Sequence, residues 1–148
     1  MKVLVQDADF DLGRQSDAFA AGAAGAGAVV TFTGVVRDAD AGGLVAMEIE
    51  HYPAMTQKAL EAIAAEAMTR WSLVDALVIH RYGRLVPGER IMMVATAARH
   101  RKDAFEAAEY LMDYLKSRAP FWKKEILADG AADWVAAKSE DEDALIRW

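Results

Sequence analysis

Two hydrophobic runs that flank a proline-glycine turn constrain the fold of this chain more than any other feature. The runs are ALVIHRYG and RIMMVATA, and the connection RLVPGE between them contains Pro87 and Gly88. Branched and apolar side chains of this kind favour β-strands, and Pro-Gly is typical of a tight turn. The pattern therefore predicts a pair of neighbouring strands.

A second pair of strands is predicted nearer the N-terminus. AVVTFTGVV (Ala28 to Val36) is rich in β-branched residues, and LVAMEIEH (Leu44 to His51) alternates as a half-buried strand does. The connection RDADAGG offers Gly42 and Gly43 as a turn. We therefore expect these two strands to form a hairpin.

The first long helix is predicted to begin at Pro53 and to end near Arg70, since proline is tolerated in the first helical turn. Its apolar residues fall on one face at helical spacing: Leu60, Ile63, Ala64, Ala67, Met68 and Trp71. A shorter helix is predicted from about Leu12 to Ala21.

The second long helix covers DAFEAAEYLMDYLKSR, with Asp103 as its N-cap and Glu106 at the capping-box position. It is predicted to end near Arg118, because Pro120 disfavours helical geometry in the residue before it. Its predicted apolar stripe consists of Phe105, Ala108, Met112 and Leu115. A short strand around Trp134 follows, and the acidic end SEDED is interpreted as a solvated, helix-forming face.

Strands in neighbouring pairs, with helices between the pairs, predict an α+β fold with a mostly antiparallel sheet and two main helices. The 148 residues are the length of one domain, and no linker or repeat divides residues 1–148. The run GAAGAG (residues 22 to 27) is not a dinucleotide loop, because its order is GxxGxG and it precedes a strand.

Composition excludes several functional classes. The net charge of −6, with 17 basic against 23 acidic residues, argues against general nucleic-acid or anionic-membrane binding. The lack of cysteine excludes disulfides, thiolate metal sites and a cysteine nucleophile. The spacing of His51, His80 and His100 matches no metal motif, so no metal site is expected. The N-terminal residues do not form a signal peptide, and a cytoplasmic protein is expected.

A basic segment, RHRK (Arg99 to Lys102), lies where a predicted strand meets a predicted helix. Cations are mildly unfavourable at the positive end of a helix dipole. A bound anion nearby would remove that conflict, but the pattern alone favours a solvated basic turn. Both interpretations stay open at this point.

A second basic segment is YLKSRAPFWKKE (residues 114 to 125). Lys116 and Arg118 suit the last turn of a helix, but helix chemistry does not explain Lys123 and Lys124 directly after two aromatic residues. Neighbouring cations and partial burial both lower the pKa of a lysine. The segment is typical of a basic, anion-binding pocket, and it names no reaction.

Four longer blocks of the sequence resemble one known family, the large catalytic subunit of molybdopterin synthase. The blocks are VVTFTGVVR, EHYPAMTQKAL, VIHRYGRLVPGE and MDYLKSRAPFWKKE, in the order and approximate spacing of that family. Together with RHRKDAFEA and the closing RW they cover nearly the whole chain. The resemblance implies a hammerhead-like α/β domain.

The resemblance also implies a reaction, in which cyclic pyranopterin monophosphate is converted to molybdopterin during molybdenum cofactor biosynthesis. A sulfurtransferase of this family takes two sulfurs from the thiocarboxylate at the C-terminal Gly-Gly of a small ubiquitin-like partner subunit. Two large subunits form a central homodimer with a small subunit at each end, giving a heterotetramer. No metal or organic cofactor is implied.

Residues of the site follow from the same resemblance. Lys116 and Lys123 match the two active-site lysines of the family. The implied substrate-binding set is Val35, Val36, Arg37, His100, Arg101, Lys116, Lys123, Lys124 and Glu125. Lys124 and Glu125 are expected to line the same pocket as Lys123.

Within that set, Arg37, His100 and Arg101 are expected to hold the substrate phosphate. His100 and Arg101 are expected to reach the pocket of the neighbouring subunit in the dimer. Val35 stands where family members often carry lysine, so a side-chain contact with substrate is lost at that position.

Two interpretations of another class compete with this one. A non-catalytic module could hold a nucleotide or an RNA end in the basic pocket, and salt-sensitive RNA binding would favour it. A dimeric scaffold could have kept the fold and lost the chemistry. The presence of both Lys116 and Lys123 argues against the scaffold.

Overall fold

In the computed structural model, which describes residues 1–148, the chain forms eight strands and four α-helices. The strands are β1 (Lys2–Gln6), β2 (Ala28–Val35), β3 (Leu44–His51), β4 (Asp75–Arg81), β5 (Gly83–Leu85), β6 (Arg90–Ala98), β7 (Phe121–Leu127) and β8 (Ala132–Trp134). The helices are α1 (Leu12–Gly22), α2 (Pro53–Arg70), α3 (Arg101–Ser117) and α4 (Ser139–Ala144), and a 3₁₀ turn (Leu145–Arg147) follows. None of the helices combines the length and the apolar character that a membrane crossing requires.

The predicted strand pair around Pro87 and Gly88 is confirmed as β4 and β6, antiparallel neighbours in the centre of the first sheet. The strand order is β1-β4-β6-β2, with β1 parallel to β4 and β2 antiparallel to β6. Nearly every residue of β4 and β6 is buried, which explains their continuous apolar sequence. Their burial makes the first sheet the centre of the molecule.

The predicted hairpin of β2 and β3 is wrong. β2 lies at the edge of the first sheet and pairs with β6, whereas β3 lies inside a second sheet of order β5-β3-β7-β8. The connection is longer than a hairpin turn: Gly42 and Gly43 both have positive φ, and the Asp38 carboxylate accepts the backbone N–H of Leu44 at 2.8 Å. This loop carries the chain from one sheet to the other.

The α+β class is confirmed, and every pair of strands except β1 with β4 is antiparallel.

The first long helix is confirmed as α2, with Pro53 in its first turn and Arg70 at its end. Leu60, Ala64 and Ala67 are fully buried, as the predicted apolar face requires. That face packs into a cluster of twenty buried residues that draws on α2, α3 and both sheets. A second cluster of eight residues fills the space between α1 and the other face of the first sheet.

The second long helix is confirmed as α3, but it begins earlier than predicted. His100 is the N-cap, so Asp103 lies inside the first turn and Glu106 forms no capping box. The Glu106 carboxylate instead accepts the indole N–H of Trp71 at 2.9 Å. Phe105 is 63% exposed, which corrects the predicted stripe. The buried face of α3 consists of Ala104, Ala107, Ala108, Tyr110, Leu111 and Leu115.

We predict that Gly27→Ala destabilises the chain because a side chain has no room at this position. The backbone N–H of Gly27 bonds to the carbonyl of Ala98 at 2.9 Å, and a Cβ on Gly27 would overlap the carbonyl oxygen of Arg99. The expected loss of unfolding free energy is about 1–3 kcal/mol, measured by urea denaturation.

Gly22→Ala is the matched control for this prediction. Gly22 ends α1 and is exposed, and a Cβ on Gly22 would meet no neighbouring atom within 4 Å. Alanine should therefore be neutral there or stabilise by up to about 1 kcal/mol. Equal stability of the two variants would contradict the predicted contact between position 27 and Arg99.

Candidate functional site

A short corner after α3 brings the two predicted catalytic lysines together. Lys116 lies in the last turn of α3, which ends at Ser117 as the proline predicted. The backbone N–H of Phe121 then bonds to the carbonyl of Ala119 at 2.8 Å, and β7 begins at once. Lys123 is the third residue of that strand. The end of α3 and the start of β7 therefore lie next to each other, and each carries one of the two lysines.

The pairing of β7 with β3 points Lys123 inward. Lys123 lies directly opposite Ile49, and side chains of opposed residues in an antiparallel pair share one face of the sheet. Ile49 is only 1% exposed, so this is the buried face. Burial lowers the pKa of Lys123 below its ordinary value, the charge of Lys116 lowers it further, and Asp141 opposes both effects. A lysine with a lowered pKa has a larger neutral fraction, which is the form that accepts a proton.

The C-terminal segment supplies an acid to the lysine pair. The interpretation of SEDED as a solvated, helix-forming face is confirmed for four of its five residues, and half-buried Asp141 is the exception. Asp141 on α4 is half-buried, and its carboxylate lies 4.0 Å from the Lys116 ammonium. Next to it, Glu142 accepts a hydrogen bond from the Arg118 guanidinium at 2.6 Å. No spacing in the sequence marks Asp141, because the contact joins residues that are far apart in the chain.

The end of the chain is anchored against α2 and α3, and this anchor holds α4 near the lysines. The Trp148 indole N–H donates to Asp113 at 2.6 Å, and the Trp148 carbonyl accepts a hydrogen bond from Arg70 at 2.8 Å. The Trp148 ring packs edge-on against the rings of Trp71 and Tyr110. The closing residues of the sequence thus fix the position of the acidic helix.

Arg37 follows the end of β2, which pairs with the start of β6. Helix α3 begins beside the end of β6, where Thr96 donates to the carbonyl of Ala104, and it runs back toward that start. This topology puts Arg37 at the end of the first sheet toward which Lys116 lies.

The guanidinium of Arg37 is exposed, and its ion-pair partner Asp40 is 3.7 Å away and also exposed, so the pair contributes little. Val36 is 3% exposed, and its backbone N–H and carbonyl are bonded to Glu89 and Gly88. Val35 is half-exposed. Of the predicted residues 35 to 37, Arg37 offers a free polar group.

Lys124 is not brought together with Lys123, although both were expected to line one pocket. Successive residues of a strand point to opposite faces, so Lys124 faces outward, opposite Glu48. Its ammonium lies 5.0 Å from the centre of the Trp134 ring. Glu125 shares the face of Lys123 and remains near the predicted site.

His100 and Arg101 lie at the other end of α3 from the lysines. Sixteen residues of helix separate His100 from Lys116, which corresponds to about 24 Å. Both residues are exposed, and the His100 side chain makes no capping hydrogen bond. Within one chain, the predicted site residues therefore form two groups: Arg37, Lys116 and Lys123 at one end, and His100 and Arg101 at the other.

Comparisons with known proteins identify the family of the chain. A family model described as "MoaE protein" matches residues 5–118. The chain belongs to the MoaE protein family. A relative from Cereibacter sphaeroides, named molybdopterin synthase catalytic subunit, is 69% identical over 148 residues and is covered completely, as is this chain.

Two solved structures share the fold. The molybdopterin biosynthesis MoaE protein from Burkholderia ambifaria is 51% identical, with a TM-score of 0.84 and coverage of 99% of this chain and 97% of that one. A chain in the complex of subunits 1 and 2 of molybdopterin-converting factor from Helicobacter pylori is 22% identical, with a TM-score of 0.75 and coverage of 93% and 90%. The second likeness is one of fold.

We predict that Lys123→Met raises stability at neutral pH and that the gain shrinks as pH rises. Burial lowers the pKa of Lys123 in the folded chain, whereas the unfolded chain keeps the ordinary value of 10.5. Between those two values the unfolded chain binds more protons, so the stability of the parent protein rises with pH. Methionine removes the cost of a buried ammonium, and urea unfolding from pH 7 to pH 10.5 measures the difference.

Lys124→Met is the control for that prediction, since it removes an ammonium from the outer face of the same strand. This variant should show no gain that depends on pH. A Lys123→Met variant with a constant stability difference across the range would contradict the burial of Lys123.

Proposed function

We propose that this chain is the catalytic subunit of a molybdopterin synthase and converts cyclic pyranopterin monophosphate to molybdopterin. The observation that carries the proposal is the pair of lysines, one exposed on a helix end and one desolvated on the adjoining strand. The chain that carries this pair is 69% identical to a relative named molybdopterin synthase catalytic subunit. The enzyme therefore acts in molybdenum cofactor biosynthesis, and we place it in the cytoplasm.

The reaction we propose is a sulfur transfer, which makes the enzyme a sulfurtransferase. Sulfur arrives as a thiocarboxylate on the C-terminal Gly-Gly of a small ubiquitin-like subunit, whose tail enters beside Lys116. The H. pylori chain of the same fold was solved in a complex of two subunits. A protein without cysteine has no thiol of its own, and sulfur carried by a partner's tail fits that composition.

The two lysines have different environments and so suit different steps. Lys116 is half-exposed and stabilises the negative charge that develops when the thiocarboxylate reacts, and it moves a proton there. Lys123 is less hydrated and polarises the substrate or assists the opening of its cyclic phosphate. Neither step calls for a metal or an organic cofactor.

Arg37 is proposed to hold the substrate phosphate from the lysine end of the chain. Its free guanidinium offers a planar pair of donors, which suits a phosphate oxygen pair. His100 and Arg101 are proposed to complete this anion site from a second copy of the chain, because one chain separates them from the lysines by about 24 Å.

The edge strand β2 supports a dimer of that kind. Its eight residues carry no charge, its outer edge is unpaired, and Val29, Phe32 and Val35 are exposed. An exposed apolar edge is usually covered, and a twofold axis would pair two β2 strands antiparallel. In that pairing the start of one β2 strand, which lies beside His100, meets the end of the other β2 strand, which leads to Arg37. With one small subunit at each end the assembly is a heterotetramer.

We predict that Lys116→Ala lowers turnover by at least about 100-fold, because it removes a proton-transfer group and its positive charge. The fold and the binding of the small subunit should persist, since Lys116 is half-exposed and its only ion pair is with Asp141. The measurement is molybdopterin formation from the cyclic pyranopterin with a thiocarboxylated partner, beside circular dichroism and a binding titration.

Lys58→Ala, on the exposed side of α2, is the control for loss of a surface charge. Normal turnover by Lys116→Ala would refute the assignment of the reaction to this site.

We predict that Arg101→Ala and Lys116→Ala complement one another when the two variants are mixed. If the phosphate site is shared between subunits, a mixed dimer keeps one site with both residues intact. Random exchange of equal amounts should restore about a quarter of the parent activity, since half the dimers are mixed and each has one intact site of two. Activity is measured before and after subunit exchange.

Mixtures that never exceed the summed activity of the separate variants would show that Arg101 does not act across the dimer. Arg84→Ala replaces Arg101→Ala in the control mixture, because Arg84 is an exposed arginine on β5, outside the proposed site.

A further inference from the structure

His80 is a buried titratable residue that the proposed reaction does not use. It is 5% exposed on β4 and is one of four polar residues in the core, with Thr56, Arg81 and Thr96. Its Nδ1 lies 2.8 Å from the carbonyl oxygen of Arg81, so Nδ1 carries the proton and donates. Burial lowers the pKa of His80 to about 3, which keeps the ring neutral. An apolar side chain could fill this place without that desolvation cost.

The imidazole of His80 stacks on the ring of Phe121, with 3.8 Å between ring centres and 15° between the planes. His80 belongs to the first sheet, whereas Phe121 is the first residue of β7 in the second sheet. The ring of Phe121 also lies near the ring of His51, with 5.8 Å between ring centres, and the two residues are directly opposite in the β3–β7 pair. Two imidazole rings, one from each sheet, therefore lie against the first residue of β7.

His51 is itself fixed by its neighbours. The Thr56 hydroxyl donates to the carbonyl of Tyr52 at 2.8 Å, so its oxygen accepts from Nδ1 of His51 at 3.0 Å. The ring of Tyr82 lies 4.4 Å from the ring of His51. These contacts hold the His51 ring in place, so Phe121 packs against a fixed side chain of β3.

Phe121 and Lys123 are two residues apart on one strand, so their side chains point to the same face. The position of Phe121 therefore determines how deeply the Lys123 side chain lies and in which direction it points. Charged and titratable groups face Lys123 from several elements: Lys116 from α3, Asp141 from α4, Lys138 before α4, and His80 from β4. A neutral ring at position 80 adds no repulsion to that set.

We propose that His80 is a positioning residue for Lys123: its stack on Phe121 clamps the start of β7 to the first sheet and so holds Lys123 in its half-buried position beside Lys116. This inference rests on the proposed role of Lys123 in the reaction. The position of Lys123 can nevertheless be measured without turnover.

The test compares His80→Asn with His80→Phe in the full chain. Asparagine keeps an N–H for the Arg81 carbonyl and removes the ring, whereas phenylalanine keeps the ring and removes the donor. The pKa of Lys123 is obtained from its rate of acetylation by acetic anhydride as a function of pH, read by mass spectrometry, with exposed Lys58 as internal reference. Thermal unfolding of each variant is recorded alongside.

We expect the pKa of Lys123 to rise in His80→Asn, because a freed β7 lets water reach the ammonium. The midpoint of its acetylation profile should then move to higher pH relative to that of Lys58, by one pH unit for each unit of pKa. His80→Phe should keep the parent value even where its melting temperature is lower. Phe121→Leu removes the other ring of the stack and should repeat the result of His80→Asn, so it serves if that variant does not fold.

The inference is overturned if folded His80→Asn or Phe121→Leu leaves the reactivity of Lys123 unchanged, or if His80→Phe changes it as much as His80→Asn. The proposed function fails by a different result, normal turnover in Lys116→Ala, which is measured separately from the labelling of Lys123 in the His80 and Phe121 variants.

Discussion

The site depends on the register between β7 and β3. In that pairing Lys123 lies opposite buried Ile49 and Lys124 lies opposite Glu48 on the outer face. A slip of one residue would exchange the two lysines, placing Lys124 inside and Lys123 in solvent. Backbone pairing therefore decides which lysine is desolvated, and the first sheet enforces the register by supplying His80 as a partner for Phe121.

The charges near the lysines show how an acidic chain keeps a basic site. Asp141 lies 4.0 Å from Lys116, and both side chains are partly exposed. An ion pair of this kind contributes at most about 1 kcal/mol. An anionic ligand can therefore replace the carboxylate at small cost. The acids of α4 limit repulsion between the two lysines without occupying them strongly.

Much of the fold followed from the sequence, because local patterns determine the helices and the central strands. Pro53 and Pro120 marked helix boundaries, and the apolar runs around Pro87 marked β4 and β6. The hairpin of β2 and β3 failed because pairing with β6 and β7 is decided by contacts far apart in the chain. β7 was not predicted as a strand, since FWKKEIL carries three charges whose faces only the sheet distinguishes.

The site followed less completely. The lysine pair was expected from the resemblance, and the structure adds a physical difference between its members through burial of Lys123. Asp141, His80 and Phe121 carried no signal for the site, because each acts through a tertiary contact. Alternation along β7 could have separated Lys124 from Lys123 in advance, but only once β7 was known to be a strand.

The length of α3 separates the two groups of predicted site residues within one chain. Lys116 and His100 stand at opposite ends of a rigid helix, about 24 Å apart, and one small phosphorylated molecule does not span that distance. Either the basic turn at Arg99 to Lys102 is unrelated to the lysines, or it serves the lysines of another copy. The uncharged edge of β2 favours the second alternative, because it runs between the same two ends as α3 and leaves its outer backbone groups unpaired. If the β2 strands of two copies pair antiparallel about a twofold axis, their backbone groups are satisfied. The same pairing brings the His100 end of one copy toward the lysine end of the other.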